Sequence, residues 1–256
     1  MINAPFFQKA NSLYKSWLND DIPATHFNNY FAMDALYEPY LLFKVDEKDD
    51  VSVETMLKDP LFILTTNPGG VMNFQKRGNL EAFVRRFTTT PLCDLSYHEL
   101  ALLLGDYYQN EPKIKNARAR IQKMIYLAKK LNKSAVVQVE MIPFHSKDFK
   151  SNRKHHYAQD LEKDHYLASY TEDLRRLLEN ASVLSPQGWM NEEKNAWPAL
   201  IRKTMGLENA SYKGLKQSGN SDSIAFVSTQ TPVLKGVTLI KGSNNFPSVT
   251  YLDQII

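Results

Sequence analysis

Cysteine is nearly missing from this chain: Cys93 stands alone among 256 residues. An internal disulfide is therefore impossible, and so is a zinc site built on several thiolates. A single thiol fits a reducing compartment, and a cytoplasmic location is expected on that ground. Long apolar runs are missing too, and no stretch approaches the ~20 residues of a membrane span. The opening "MINAPFFQKANSLYKSW" has no apolar core behind a basic start, so it does not read as a signal peptide. There is no internal repeat and no low-complexity linker. Charge of one sign is not in great excess either: 31 Lys and Arg face 28 Asp and Glu, for a net +3. That balance permits a nucleic-acid partner without demanding one.

What remains is a chain of ordinary globular composition, 43% hydrophobic and 23% charged. Its length suits one large domain spanning residues 1–256, with a core that needs no cross-links. Residues 1–50 are rich in aromatics, among them Phe6, Phe7, Tyr14, Trp17, Tyr37 and Tyr40. They are expected to form a mainly helical N-terminal cap, followed by a solvated acidic loop over residues 43–54. Beyond it, apolar runs alternate with helical periodicity. Strands are expected at Leu61–Thr66, Ser134–Phe144 and Ser182–Trp189, and again in "SIAFVSTQ" and "GVTLIKGS". Those last two are near enough in sequence to pair as a hairpin instead.

Between them, Ser96 and Glu99 have the spacing of a capping box, and Ile121, Met124, Ile125, Ala128 and Leu131 follow one helical face. The pattern predicts a three-layer α/β/α sandwich around a central, largely parallel four-stranded sheet.

In such sheets ligands gather beyond the carboxyl ends of the strands. Three strand ends here carry unusual chemistry. The first is "TTNPGG": Pro68 fixes the backbone, Gly69 and Gly70 allow close approach, and Asn67 offers a carbonyl and an amide. Their N–H groups suit a phosphate or a sugar, although Asn-Pro and Gly-Gly are also ordinary turn dipeptides. The second is "VEMIPFHS", where Glu140 interrupts a strand that otherwise reads buried and His145 follows Pro143. A central parallel strand has no solvent face, so Glu140 must be paired or functional. The third is "LIKGSNNFPSVTYL", an apolar run emptying into Ser243, Asn244, Asn245, Phe246, Pro247 and Ser248.

Together these segments resemble the uracil-DNA glycosylase superfamily over roughly residues 61–248. The superfamily's first motif is Asn-Pro-Gly after the first strand in members that excise mismatched or single-strand uracil. A second motif, His-Pro-Ser or Asn-Pro-Ser, follows the last strand. The resemblance implies catalytic roles for Asn67, which would position the attacking water, and for His145, which would donate to the departing base or contact a phosphate. It implies that Gly69 and Gly70 approach an extruded nucleotide and that Phe74 faces the base. Glu140 falls where the family commonly has an asparagine that reads the pyrimidine edge. Asn244 or Asn245 would take the second motif's role, with Ser243, Phe246 and Ser248 at the DNA backbone.

Two departures accompany the likeness. Phe246 precedes the proline of the second motif, and Glu140 replaces an amide by a carboxylate. A carboxylate only accepts hydrogen bonds, so it favours a base edge that donates, as the cytosine amino group does and uracil O4 does not. The expected reaction is hydrolysis of the N-glycosidic bond of a flipped-out, modified cytosine-type base, leaving an abasic site, in DNA repair or in defence against phage. No metal or other cofactor is needed for it.

DNA is the expected partner of a monomer, gripped by a basic segment that starts at the second strand end and includes Lys150, Arg153 and Lys154. His155 and His156 sit in that segment without the spaced ligands of a metal site. Two other readings use the same features: a nucleotide or nucleoside hydrolase, with the glycine turn on a free phosphate or sugar, and a non-catalytic nucleic-acid-binding module.

Overall fold

The computed structural model of the protein describes residues 3–21, 36–46, 51–65, 77–111, 115–145, 165–179, 181–186, 211–215, 224–228 and 237–240, together with Val249 and Asp253. Helix α1 (Pro5–Leu18) opens the chain, with Pro5 in the first turn, where its missing N–H leaves no helical bond unmade. Phe6, Phe7, Ala10, Tyr14 and Trp17 recur at helical spacing and form its buried face. Strand β1 (Tyr40–Lys44), helix α2 (Val53–Met56) and strand β2 (Leu61–Thr65) follow. Helices α3 (Arg77–Phe87), α4 (Tyr97–Asn110) and α5 (Lys115–Lys130) then lead to strand β3 (Ala135–Glu140).

Ser96 begins α4 with a complete capping box: its side chain accepts from the Glu99 N–H, while the Glu99 carboxylate accepts from the Ser96 N–H. After α5 the chain reverses through Asn132, whose φ of 53° lies in the left-handed region that asparagine tolerates better than most residues. Helix α6 (His165–Leu178) precedes strand β4 (Ser182–Pro186), and β5 (Ser211–Leu215), β6 (Ile224–Ser228) and β7 (Val237–Ile240) complete the described elements.

The class is mixed α/β. The main sheet has five strands in the order β1-β3-β2-β4-β7. Strands β3, β2, β4 and β7 run parallel, and β1 lies antiparallel along β3. This corrects the expected four strands, and the expected helical cap at residues 40–44. Residues 40–44 are not part of a helical cap but an edge strand, and Phe43, assigned to a solvated loop, is fully buried. The physical reason is that "YLLF" supplies apolar side chains to both faces of an edge that helices cover. The hairpin alternative for the last two strands is also replaced: β6 pairs antiparallel with β5, and β7 pairs parallel with β4.

Every residue of β2 and β3 is buried, so both faces of the sheet centre are covered. Helix α4 packs directly on β1. A Cβ added at Gly105 would lie 1.8 Å from the Leu42 carbonyl oxygen, so only glycine lets helix and strand approach this closely. Around β1 the aromatics of the N-terminal region interlock edge to face: Phe7 with Tyr40, Tyr40 with Tyr97, and Tyr37 with Tyr97 and Phe144. Some of the buried tyrosine hydroxyls reach main-chain carbonyls. Tyr97 donates to the Tyr40 carbonyl at 3.0 Å, and Tyr170 donates to the Glu140 carbonyl at 2.6 Å. Among the described residues no helix is long and apolar enough to cross a membrane.

Candidate active site

Parallel pairing sets the carboxyl ends of β3, β2, β4 and β7 along one rim. Thr65 is the register partner of Glu140. Ile63 pairs with Leu184, and two residues further along β4, Pro186 pairs with Ile240. The ends of the four strands are thus level. Three strand spacings separate the first from the last, about 14 Å. The segment 36–38 joins them from the other side, because β1 runs antiparallel and its amino end meets the carboxyl end of β3.

The polar side chains at this rim form a buried chain of contacts. Glu140 is 1% exposed. Its backbone is fully used: its N–H donates to the Pro39 carbonyl at 3.0 Å, and its own carbonyl accepts from Tyr170. One carboxyl oxygen, Oε1, accepts from the Gln138 side-chain N–H at 2.6 Å. Gln138 Oε1 in turn accepts from the Arg120 guanidinium at 3.2 Å. An arginine only donates, so the Gln138 amide can face only one way: oxygen toward Arg120, nitrogen toward Glu140. The second Glu140 oxygen, Oε2, is buried and has no hydrogen-bond partner among the described residues. The nearby Thr65 hydroxyl donates its one hydrogen to the Val139 carbonyl at 3.2 Å, so none is left for Oε2.

An orphaned carboxylate oxygen in a dry site is costly to ionise. Burial accordingly pushes the Glu140 carboxyl up to about 7, against the lowering pull of the neighbouring Thr65 hydroxyl, the Gln138 amide and the Arg120 charge, with the Glu38 carboxylate adding to the rise. The expectation that Glu140 only accepts therefore needs correction. Near neutral pH the side chain exists in both forms, and the neutral carboxyl can donate.

A second carboxylate stands close by. Glu38 is 2% exposed and His145 5%. Glu38 Oε2 lies 3.0 Å from His145 Nε2. The main chains around them are tied as well: the Glu38 N–H donates to the Pro143 carbonyl at 2.7 Å, and the His145 N–H to the Leu36 carbonyl at 3.0 Å. The Tyr108 phenol, pushed up mainly by burial, also meets the Glu38 carboxylate by charge and hydrogen bond and feels Glu140 by charge. The cluster is thus one acid that is neutral or charged near pH 7 beside one acid held by a histidine.

Of the residues expected at the site, the structure brings together Glu140 and His145. Asn67, Gly69, Gly70, Phe74, Lys150, Arg153, Lys154, Ser243, Asn244, Asn245, Phe246 and Ser248 lie outside the described residues. Sequence reasoning missed Glu38, Gln138 and Arg120. The "QVE" of β3 carried a signal for Gln138, since residues two apart share a face and a polar pair on a buried strand calls for partners. Nothing in the sequence pointed from Glu38 to His145, 107 positions apart. Among the described residues no group of three or more His, Cys, Asp or Glu could hold a metal ion. No protein-family model, no curated protein and no solved structure matches the chain.

Proposed function

We propose that the protein is a DNA N-glycosylase that removes a flipped-out pyrimidine-type base, and that its strands form the middle layer of a three-layer α/β/α sandwich. The observation that carries the reading is the buried Glu140 carboxyl, whose Oε2 has no partner among the described residues, set in register with Thr65 at the end of the strand that leads in sequence to Asn67-Pro68-Gly69-Gly70. A buried polar atom without a partner is rare in a folded chain and marks a place where a ligand completes the bonding. A pyrimidine edge supplies what is lacking: an amino group for the ionised oxygen, or a carbonyl for the protonated one.

In this reading Asn67 orients a water toward C1′, and Gly69 and Gly70 let the backbone approach the extruded nucleotide. Glu140 reads the base edge, and His145 stabilises the departing base. The glycosidic electron pair leaves with the base, the water oxygen bonds to C1′, and the water's proton balances the one the base acquires. Holding the water at C1′ removes most of the orientational penalty. Extruding the base costs on the order of a few kcal/mol, offset by contacts to base and backbone.

The test is incubation with duplex and single-stranded DNAs carrying uracil or modified cytosines, followed by alkaline cleavage at abasic sites. Wild-type protein should generate such sites from at least one DNA. Asn67→Ala should lower the rate about a hundredfold or more while DNA binding persists. Absence of abasic sites from every DNA, with consumption of free nucleosides or nucleotides instead, would replace this reading by the hydrolase alternative. DNA binding with no chemistry on either would leave a binding module.

A further inference from the structure

We propose that Glu38 is a positioning residue of this site, one that fixes the ring orientation and the protonated nitrogen of His145 for the reaction. The inference rests on the glycosylase reading and adds a residue to it. Residues 36–38 lie antiparallel to 143–145, with Tyr37 and Phe144 bridged, and two backbone hydrogen bonds flank the bridge. The side chains of Glu38 and His145 meet across this short ladder, both almost without solvent. A carboxylate buried in that way must be paired, and the imidazole is a partner of suitable length. An ionised Glu38 accepts from Nε2–H, so that nitrogen carries the proton in the neutral ring.

A histidine without such a partner would choose its tautomer by chance and could rotate about its χ angles. Here the Glu38 carboxylate holds the ring at Nε2, and the His145 N–H ties the main chain to the Leu36 carbonyl. The groups facing Glu38 are Tyr97 and Tyr108 from α4, Tyr37 beside it, and Glu140 from β3, whose charge both carboxyls share as a repulsion. Arg120 from α5 reaches the cluster through Gln138. Among these groups the His145 ring meets the Glu38 carboxylate directly, with Nε2 at 3.0 Å.

A purely structural tie would change stability and leave the chemistry of the folded protein alone. A positioning role has a different signature. Glu38→Gln keeps the size and an acceptor oxygen but removes the charge. In single-turnover base release at saturating DNA, kcat should fall roughly 10- to 100-fold, within the range attributed to acid–base groups, while KM changes little. The histidine-dependent limb of the pH–rate profile should move or vanish. Glu38→Asp should restore part of kcat and the limb. The double variant Glu38→Gln/His145→Gln should be no slower than His145→Gln alone, since Glu38 acts through the ring.

An unchanged kcat and pH profile in Glu38→Gln overturns the inference while leaving the glycosylase reading intact. Additive losses in the double variant overturn it too. If wild-type protein releases no base from any DNA, both fall together. Should Glu38→Gln fail to fold, the comparison of Glu38→Asp with wild type decides the matter by the same kcat and pH readouts.

Discussion

Two glutamates in this protein are displaced in opposite directions, and the contrast shows what each is for. Glu172, on the exposed side of α6, receives Arg175 at 2.8 and 2.9 Å and Arg176 at 2.9 Å. Those hydrogen bonds hold its carboxyl down at about 2. Glu140 at the rim has one neutral amide, that of Gln138, bonded to its carboxyl and is almost wholly buried, and it is pushed up to about 7. The surface cluster satisfies its acid completely and leaves it nothing to do. The rim leaves its acid half satisfied, which is wasteful for stability and useful for binding.

The largest effect that would sharpen this contrast is on stability. A carboxyl whose folded pKa is raised contributes stability below its unfolded value of 4.5 that is lost as pH climbs through about 7. The loss is roughly 3 kcal/mol at higher pH, taking 1.36 kcal/mol per pKa unit. Urea denaturation of Glu140→Gln should therefore show a protein more stable than wild type by up to that amount at pH 8.5, with the difference gone at pH 4. A variant that is less stable at pH 8.5 would break the contrast.

Next in size is substrate choice. If Oε2 meets the base, the preference between an edge offering an amino group and one offering a carbonyl should follow the ratio of ionised to neutral carboxyl. That ratio changes about a hundredfold between pH 6 and pH 8. Competition between cytosine-type and uracil DNA across this range should show the amino-bearing base gaining as pH rises. A flat ratio would detach Glu140 from base reading.

Arg120→Met comes third. It strands the buried Gln138 oxygen, for about 1–3 kcal/mol of stability. It also removes an attraction that favours ionised Glu140, so the pH at which substrate preference crosses over should rise. Glu172→Gln is the smallest. An exposed cluster of this kind is worth under about 1 kcal/mol. Its contribution, present above 4.5 and lost as pH falls through about 2, should be barely visible in a melt at pH 7, with base release unchanged.

How much of this was legible without coordinates depended on whether the signal was local. β2 and β3 were readable because each is a short apolar, β-branched run, and Glu140 stood out because charge on such a strand is costly. The cap of α4 was readable because a capping box needs only residues three apart. β1 was hidden because its "YLLFK" follows so many aromatics that a helical cap seemed a sufficient home for them. β5, "SYKGL", has a lysine and a glycine where a strand signal needs apolar residues. Glu38 and Arg120 were hidden for a different reason. Their meaning lies in partners brought near by the fold, with the segment before an antiparallel edge strand delivering Glu38 to the rim and helix α5, lying against β3, delivering Arg120. No periodicity encodes that.

The hydroxyl of Tyr170 grips the main chain of Glu140, and the ring of Phe6 leans on Tyr170 at 5.3 Å between centroids. The first helix is thereby only two handshakes away from the main chain of Glu140. Shortened versions that trim Phe6 would loosen the ring that braces Tyr170 and, through it, the carbonyl of Glu140, so cuts and fusions are better placed elsewhere.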